Sequence, residues 1–273
     1  MSDTQEDENR SSAFDTNRPH VARIFNALLG GKDNYQVDRD VRDQLLARAP
    51  AMGDLARDVR SFVGRVTRFL AGAAGVRQFL DCAPGMPNNE NVHEVAQREN
   101  REATVVYTAT DPVVLAHGRA LLAENDRTHF VHADFRCPDQ VFDDPTVRKC
   151  IDLNEPVAVF HVGSVQYVSD ARDPAEIIAG YIDRIPSGSY VVLGHGYDPE
   201  DGSFPRELRE VYLNSDVGLG YFRSRSQIES FLDGLELVDP GLVAVSDWWP
   251  DGPRLAGQDP VQRLALGAVG RKP

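Results

Sequence analysis

From Val76 onward, short apolar runs alternate with stretches whose apolar residues recur at helical spacing. This rhythm predicts strands at Gln78–Asp81, Thr104–Tyr107, His129–Ala133, Val157–Gly163 and Tyr190–His195. Helices are expected between them at Val92–Arg98, Val113–Glu124, near Asp144–Asp152 and at Ala175–Ile185. The runs Val157–Phe160 and Tyr190–Leu193 are continuously apolar, as in strands covered by helices on both faces. Strict alternation of this kind predicts an α/β fold with a doubly wound, mainly parallel sheet and right-handed crossovers. Beyond His195 the order changes: Phe204–Asn214 and Ser224–Leu232 read as helices, Leu235–Val238 and Val261–Val269 as strands. Between those two strands, Ser246–Pro253 is a turn-rich loop with both tryptophans.

Ahead of Val76 the pattern is purely helical. Pro19 introduces Val21, Ile24, Phe25, Leu28 and Leu29, and Gly30-Gly31 stops that helix. A second helix is expected at Asp38–Ala49 and a third at about Asp54–Ala73 with a broad apolar face. The expected organisation is an acidic, disordered tail over 1–17, an amino-terminal helical cap over 18–75 and a doubly wound α/β domain over 76–273.

Composition narrows the function. With 29 basic and 42 acidic residues the net charge is −13, which opposes a polyanionic partner and argues against nucleic acid. No apolar run is long enough to span a bilayer, and the acidic start lacks the basic-then-apolar order of a signal peptide, so no membrane association and a cytoplasmic location are expected. Cys82, Cys137 and Cys150 have no C-x-x-C spacing, and His93 and His117 have no partner at ligand spacing, so no metal is inferred. Self-association is left open.

An open α/β sheet binds ligands at the carboxyl ends of its strands, a crevice that gathers Asp81, Asp111, Asp134, Gln166 and His195. Each has a bland reading beside the functional one. Asp81 can stabilise a turn, and Asp111 before Pro112 can cap a helix. His195 ends an apolar strand at the crevice mouth, where an imidazole can act as acid or base or can simply order the next loop. His161, inside an apolar strand, reads as a core residue, whereas Cys82 follows a strand-ending acid and faces the crevice. Trp248 and Trp249 can stack on a flat acceptor or pack internally. Neither G-x-G-x-x-G nor a phosphate loop is present.

Five segments carry a family resemblance: Leu29-Gly-Gly-Lys-Asp-Asn-Tyr35, Asn91–Gln97, Asp111–His117, Ser189–Leu193 with His195, and Gly234–Gly241. Over roughly Arg18 to Arg271 the chain resembles S-adenosylmethionine-dependent methyltransferase-like proteins of the class I fold. The resemblance implies S-adenosylmethionine as cofactor and a small-molecule acceptor, in chemistry of the secondary-metabolism kind. It implies cofactor contacts from Asp81 and Gly85 in the turn after the first strand, from Asp111 and from Asp134. It also puts Lys32, Asn34 and Tyr35 over the crevice, with Tyr35, Gln166 and His195 as candidate catalytic groups orienting the acceptor.

The chain departs from that family's pattern at several points. Ala83 and Pro84 replace the first glycine of the turn and its neighbour, Ala109 stands where a ribose-binding acid is expected, His132 where an acid is usual, and Val165-Gln-Tyr167 where Leu-His-Phe is common. These departures motivate two competing readings: a same-scaffold cyclase, lyase or isomerase that has lost methyl transfer, and a non-catalytic ligand-binding protein.

Overall fold

The computed structural model describes residues 15–87, 90–122, 125–201, 208, 210–211, 220–253 and 257–273, without the side chains of 121 and 122. The expected acidic tail and the helix expected over Phe204–Asn214 lie largely outside them. Eight strands form one sheet in the order β3-β2-β1-β4-β5-β8-β6, with β7 also paired to β8. They are β1 Gln78–Asp81, β2 Thr104–Ala109, β3 Thr128–His132, β4 Val157–Val162, β5 Tyr190–Gly196, β6 Glu236–Leu237, β7 Val243–Ala244 and β8 Ala265–Arg271. The first five pair in parallel, and β8 runs antiparallel to β5, β6 and β7. This mostly parallel α/β sheet is the doubly wound arrangement that the alternation predicts and the class I Rossmann-like fold that the resemblance implies.

Side-chain alternation along the strands divides the core in two. Phe79, Val105, Tyr107, Phe160, Val192 and Val269 face one layer, together with residues of α1 (Val21–Leu28), α2 (Gln36–Arg48), α3 (Met52–Arg68) and α4 (Val92–Glu99). Leu80, Val106, Val159, Val191, Leu193 and Ala268 face the other. There they meet α6 (Pro138–Asp143), α7 (Pro145–Cys150), α8 (Pro174–Arg184) and α9 (Arg225–Ser230). Helix α5 (Pro112–Leu122) packs on β3.

Helix α3 buries Leu55, Phe62, Val63 and Val66 and continues as a π-turn over Phe69–Ala73. Its Phe62 ring lies so close to β8 that a Cβ on Gly267 would sit 2.7 Å from it, which explains a glycine inside that strand. Buried Arg65 on the same helix donates to the carbonyls of Val245 and Trp248 at 2.7 and 2.8 Å. Trp248 is thereby a core residue, fully buried and edge-on to Phe62, and is closed off from any acceptor. Trp249 is 44% exposed and packs on Phe69.

Some elements differ from the periodicity. The helix expected near Asp144–Asp152 is the short α7, where Asp144 caps Thr146 and Val147 ahead of Pro145, and a further short helix, α6, precedes it that the periodicity does not announce. The last strand begins at Ala265 rather than Val261, since Asp259 caps a 3₁₀ turn over Pro260–Arg263.

Candidate functional site

A cavity of about 620 Å³ opens at the carboxyl ends of β1, β2, β4 and β5, and α1 and α3 close its far wall. Asp81, Gly85, Asp111, Gln166 and His195 all line it. The structure thus brings together five of the residues expected from sequence. Lys32, Asn34, Tyr35 and Asp134 are not among the lining residues.

Asp81 ends β1 and turns its carboxylate back onto the following loop, where Oδ1 accepts the Ala83 N–H at 3.1 Å. The loop through Ala83 and Pro84 is thereby tied back to the end of β1. Gly85 sits at φ +68°, a left-handed conformation that favours glycine, with open space around its Cα. Burial pushes the Asp81 carboxyl from 3.8 up to about 6, against the Ala83 hydrogen bond and the positive charge of Arg60 on α3. The unfolded chain ionises Asp81 near pH 4 while the folded chain holds its proton to about pH 6, so this group costs stability increasingly across that window and fully above it. Asp81→Asn is expected to raise stability by about 2–3 kcal/mol at pH 8 and by almost nothing at pH 3.5. Urea melts at the two pH values check this.

The other cavity residues are more committed. Asp111 Oδ1 caps α5 through the N–H groups of Val113 and Val114 at 2.6 and 3.2 Å, and its Oδ2 lies 3.1 Å from Nδ1 of His20. Ala109, at the end of β2, joins Met86, Val113 and Val114 in an apolar patch, so an apolar surface stands where the resemblance expects a ribose acid. Asp134 is drawn away by Arg136, whose guanidinium holds both its oxygens. Burial raises the Asp134 carboxyl, but the hydrogen bonds and charge of Arg136 outweigh it and leave it below the usual carboxylate range.

His195 is nearly fully buried. Its Nδ1 donates to the Gly196 carbonyl at 2.7 Å and its Nε2 faces Arg223 Nη1 at 2.9 Å. Burial, with the Arg223 charge adding to it, pushes this imidazole down to about 4, although the Gly196 bond opposes them. Both ring nitrogens are engaged, so the group is a neutral anchor for the loop after β5. Gln166 accepts the Gly196 N–H through Oε1 at 3.1 Å. His161 is buried in β4 beside Ser164, as its apolar setting suggests. Cys82 lines the cavity, with burial pushing its thiol up to about 12. His132 ends β3, exposed and outside the cavity lining.

The segment Lys32–Tyr35 is a hinge post between α1 and α2. Asn34 Nδ2 donates to Asn26 Oδ1 and to the Gly31 carbonyl, both at 2.9 Å, and Asn34 Oδ1 accepts from Arg39. Tyr35 caps α2, and its ring lies under the Arg23 guanidinium. Fully buried Asp38 gathers the N–H groups of His20 and Tyr35 and pairs with Arg23 at 3.3 Å. Among the cavity residues not singled out in the sequence are His20 and Arg60. Pro19-His20 read only as a helix start, and Arg60 lies on the polar side of a strongly amphipathic helix; neither carries a local signature of a site.

A family profile described as S-adenosyl methyltransferase matches residues 7–273. The chain is 38% identical to a candidate methyltransferase from Thermobifida fusca YX, with a TM-score of 0.87 over 93% of this chain and 95% of that one. It is 36% identical to a DUF574-family protein from Streptomyces avermitilis MA-4680, with a TM-score of 0.89 over 95% of this chain and 99% of that one. An O-methyltransferase family protein from Burkholderia thailandensis shares the fold alone, at 14% identity and a TM-score of 0.51 over 87% of this chain and 61% of that one. No curated protein matches. A profile match over nearly the whole chain, with two relatives above one third identity covering almost all of it, establishes that the chain belongs to the S-adenosyl methyltransferase family.

Proposed function

We propose that the protein transfers a methyl group from S-adenosylmethionine to a small organic acceptor held in the same cavity. The observation that carries this reading is the turn after β1: despite Ala83 and Pro84, Asp81 still folds it back and Gly85 still takes its left-handed conformation beside an open cavity. The residues present fit the methionine end of the cofactor. Asp81 would accept from its ammonium group, Arg60 would face its carboxylate, and the backbone at Gly85 gives close approach. The apolar surface of Ala109, Met86 and Val113 would lie against the adenosyl part by contact rather than by a gripped sugar.

When bound, the cofactor supplies an electrophilic methyl group on a sulfonium. The chain's contribution is alignment and exclusion of water. Gln166, fixed by Gly196, and the loop anchored by His195 would form the wall against which the acceptor is positioned. The volume lies within the ~300–1,000 Å³ of sites for small molecules, and the charge of −13 disfavours a nucleic-acid acceptor.

Calorimetric titration with S-adenosylmethionine and S-adenosylhomocysteine tests the reading. Binding is expected to tighten by up to about tenfold per pH unit below pH 6 and to level off above it, because Asp81 must lose its proton to accept the ammonium. Absence of heat and of thermal stabilisation at millimolar ligand would refute methyl transfer and favour a repurposed enzyme of the same scaffold. Tight binding with no turnover over a broad acceptor library would favour a ligand-binding protein.

A further inference from the structure

We propose that His20, oriented by Asp111, is the general base of this cavity, and that the acceptor is an aromatic hydroxyl compound. The inference rests on the methyltransferase reading and deepens it. It starts from a geometry the rest of the site leaves unused.

His20 lines the cavity from the amino end of α1, and its Nδ1 lies 3.1 Å from Asp111 Oδ2. Nδ1 also stands as acceptor to the Ala22 N–H as the cap of α1, at 3.3 Å, a longer contact than the one to the Asp111 carboxylate with which it competes. A lone pair on Nδ1 facing a carboxylate oxygen would be repelled, whereas a proton there makes a charge-assisted hydrogen bond, so the carboxylate selects the Nδ1–H tautomer. Nε2 then carries the lone pair, and among the described residues it has no hydrogen bond. Asp111 cannot swing away freely, because its other oxygen caps α5. His20 is fixed in turn by its backbone N–H, which donates to buried Asp38 at 2.9 Å. An acid holds a cavity-lining imidazole by one nitrogen while the other makes no hydrogen bond among the described residues, which is the arrangement of a histidine base.

The charges around the ring suit that task. Burial lowers the His20 imidazole below its ordinary 6.5; Asp111 on the β2–α5 loop pulls the other way, Arg23 on α1 lowers it further, and Asp38 on α2 raises it. Asp15, Arg18, Arg60, Asp81 and His195 are further ionisable residues lining the same cavity. The ring is therefore neutral, and ready to take a proton, at neutral pH.

A histidine base matches an acceptor whose proton is moderately acidic. A phenol, like tyrosine, ionises near pH ~10, within reach of an imidazole assisted by developing bonding at oxygen. The cavity is also faced by Phe25, Phe135, Phe160 and Tyr167, walls suited to a flat ring. In the step itself the phenolic oxygen forms the new bond to the methyl carbon, and the carbon–sulfur bond breaks with its electron pair left on sulfur. The phenolic proton passes to Nε2 of His20 and from there to solvent.

The test combines histidine ¹⁵N NMR with methyl transfer from labelled S-adenosylmethionine to catechol and 4-hydroxybenzoate. In the wild-type protein at pH 7.5 the His20 resonances, identified by their loss in His20→Gln, are expected to report the Nδ1–H tautomer. Asp111→Asn is expected to shift them towards a tautomer mixture. His20→Gln is expected to lower kcat by about 10²- to 10⁴-fold and to abolish the acidic limb of the kcat profile measured at saturating S-adenosylmethionine at each pH, where the Asp81 effect on binding does not enter, with cofactor affinity within about twofold of wild type. A wild-type Nε2–H tautomer or a His20→Gln rate equal to wild type would overturn the base assignment, and no methylation of either phenol by protein that binds the cofactor would overturn the aromatic-hydroxyl assignment. Failure of the wild type to bind S-adenosylmethionine would instead overturn the functional reading beneath it.

Discussion

Arg223→Met is expected to cost about 3–5 kcal/mol of folding stability, read as a lower urea midpoint at unchanged slope. Arg223 is 4% exposed and donates to the carbonyls of Val165 and Val168, to Asp170 Oδ1 and towards His195 Nε2. Methionine keeps most of the aliphatic stem, so the loss isolates the guanidinium. Asp170 is exposed and would return to water, but the two carbonyls and the imidazole nitrogen have no such escape, and each deprived buried acceptor costs about 1–3 kcal/mol before relaxation. The consequence reaches the cavity, because these bonds hold the turn Val165–Tyr167 against β5. A weakened cofactor affinity should accompany the stability loss, and Arg223→Lys, unable to span all four partners, should restore little of either.

Asp38→Ala is expected to be comparably severe, about 3–5 kcal/mol, for a different reason. The Asp38 carboxylate is fully buried and satisfies the N–H groups of His20 and Tyr35 while neutralising Arg23, itself 3% exposed. Removing it leaves a buried cation uncompensated at the junction of α1 and α2. His20 would lose its anchor, so the His20 tautomer signal should broaden or shift even under conditions where the variant remains folded. Asp38→Asn, which keeps one acceptor oxygen, should lose less stability than the alanine variant. Equal losses for the two would mean that the charge, rather than the hydrogen bonds, holds this junction.

The parallel half of the sheet was legible because β4 and β5 are buried on both faces and so are written as unbroken apolar runs. The short helix α6 escaped the reading because six residues hold too little apolar periodicity, and the start of β8 was misplaced because Asp259 turns Pro260–Arg263 into a 3₁₀ turn. β7, with two residues, is too short to display any period. For the site, Asp81, Gly85, Asp111, Gln166 and His195 were readable because the ends of parallel strands converge by topology. What sequence could not convey is the state of each group. That Arg136 occupies Asp134 and Gly196 one nitrogen of His195 depends on local rotamers, while Arg223 on the other His195 nitrogen and His20 on Asp111 are facts of tertiary docking across 28 and 91 residues.

Strand β8 lies between β5 and β6 although it follows both in the chain. A nascent polypeptide that has reached residue 237 therefore exposes the rim of β5 with its amide and carbonyl ladder unsatisfied, and it leaves β6 without the strand that later joins it to the sheet. During synthesis this half-built rim is the place where holdase chaperones would bind and where two unfinished chains would mispair. Arrival of Ala265–Arg271 closes it in a single event, which makes completion of the sheet an abrupt late step in biogenesis rather than a gradual one.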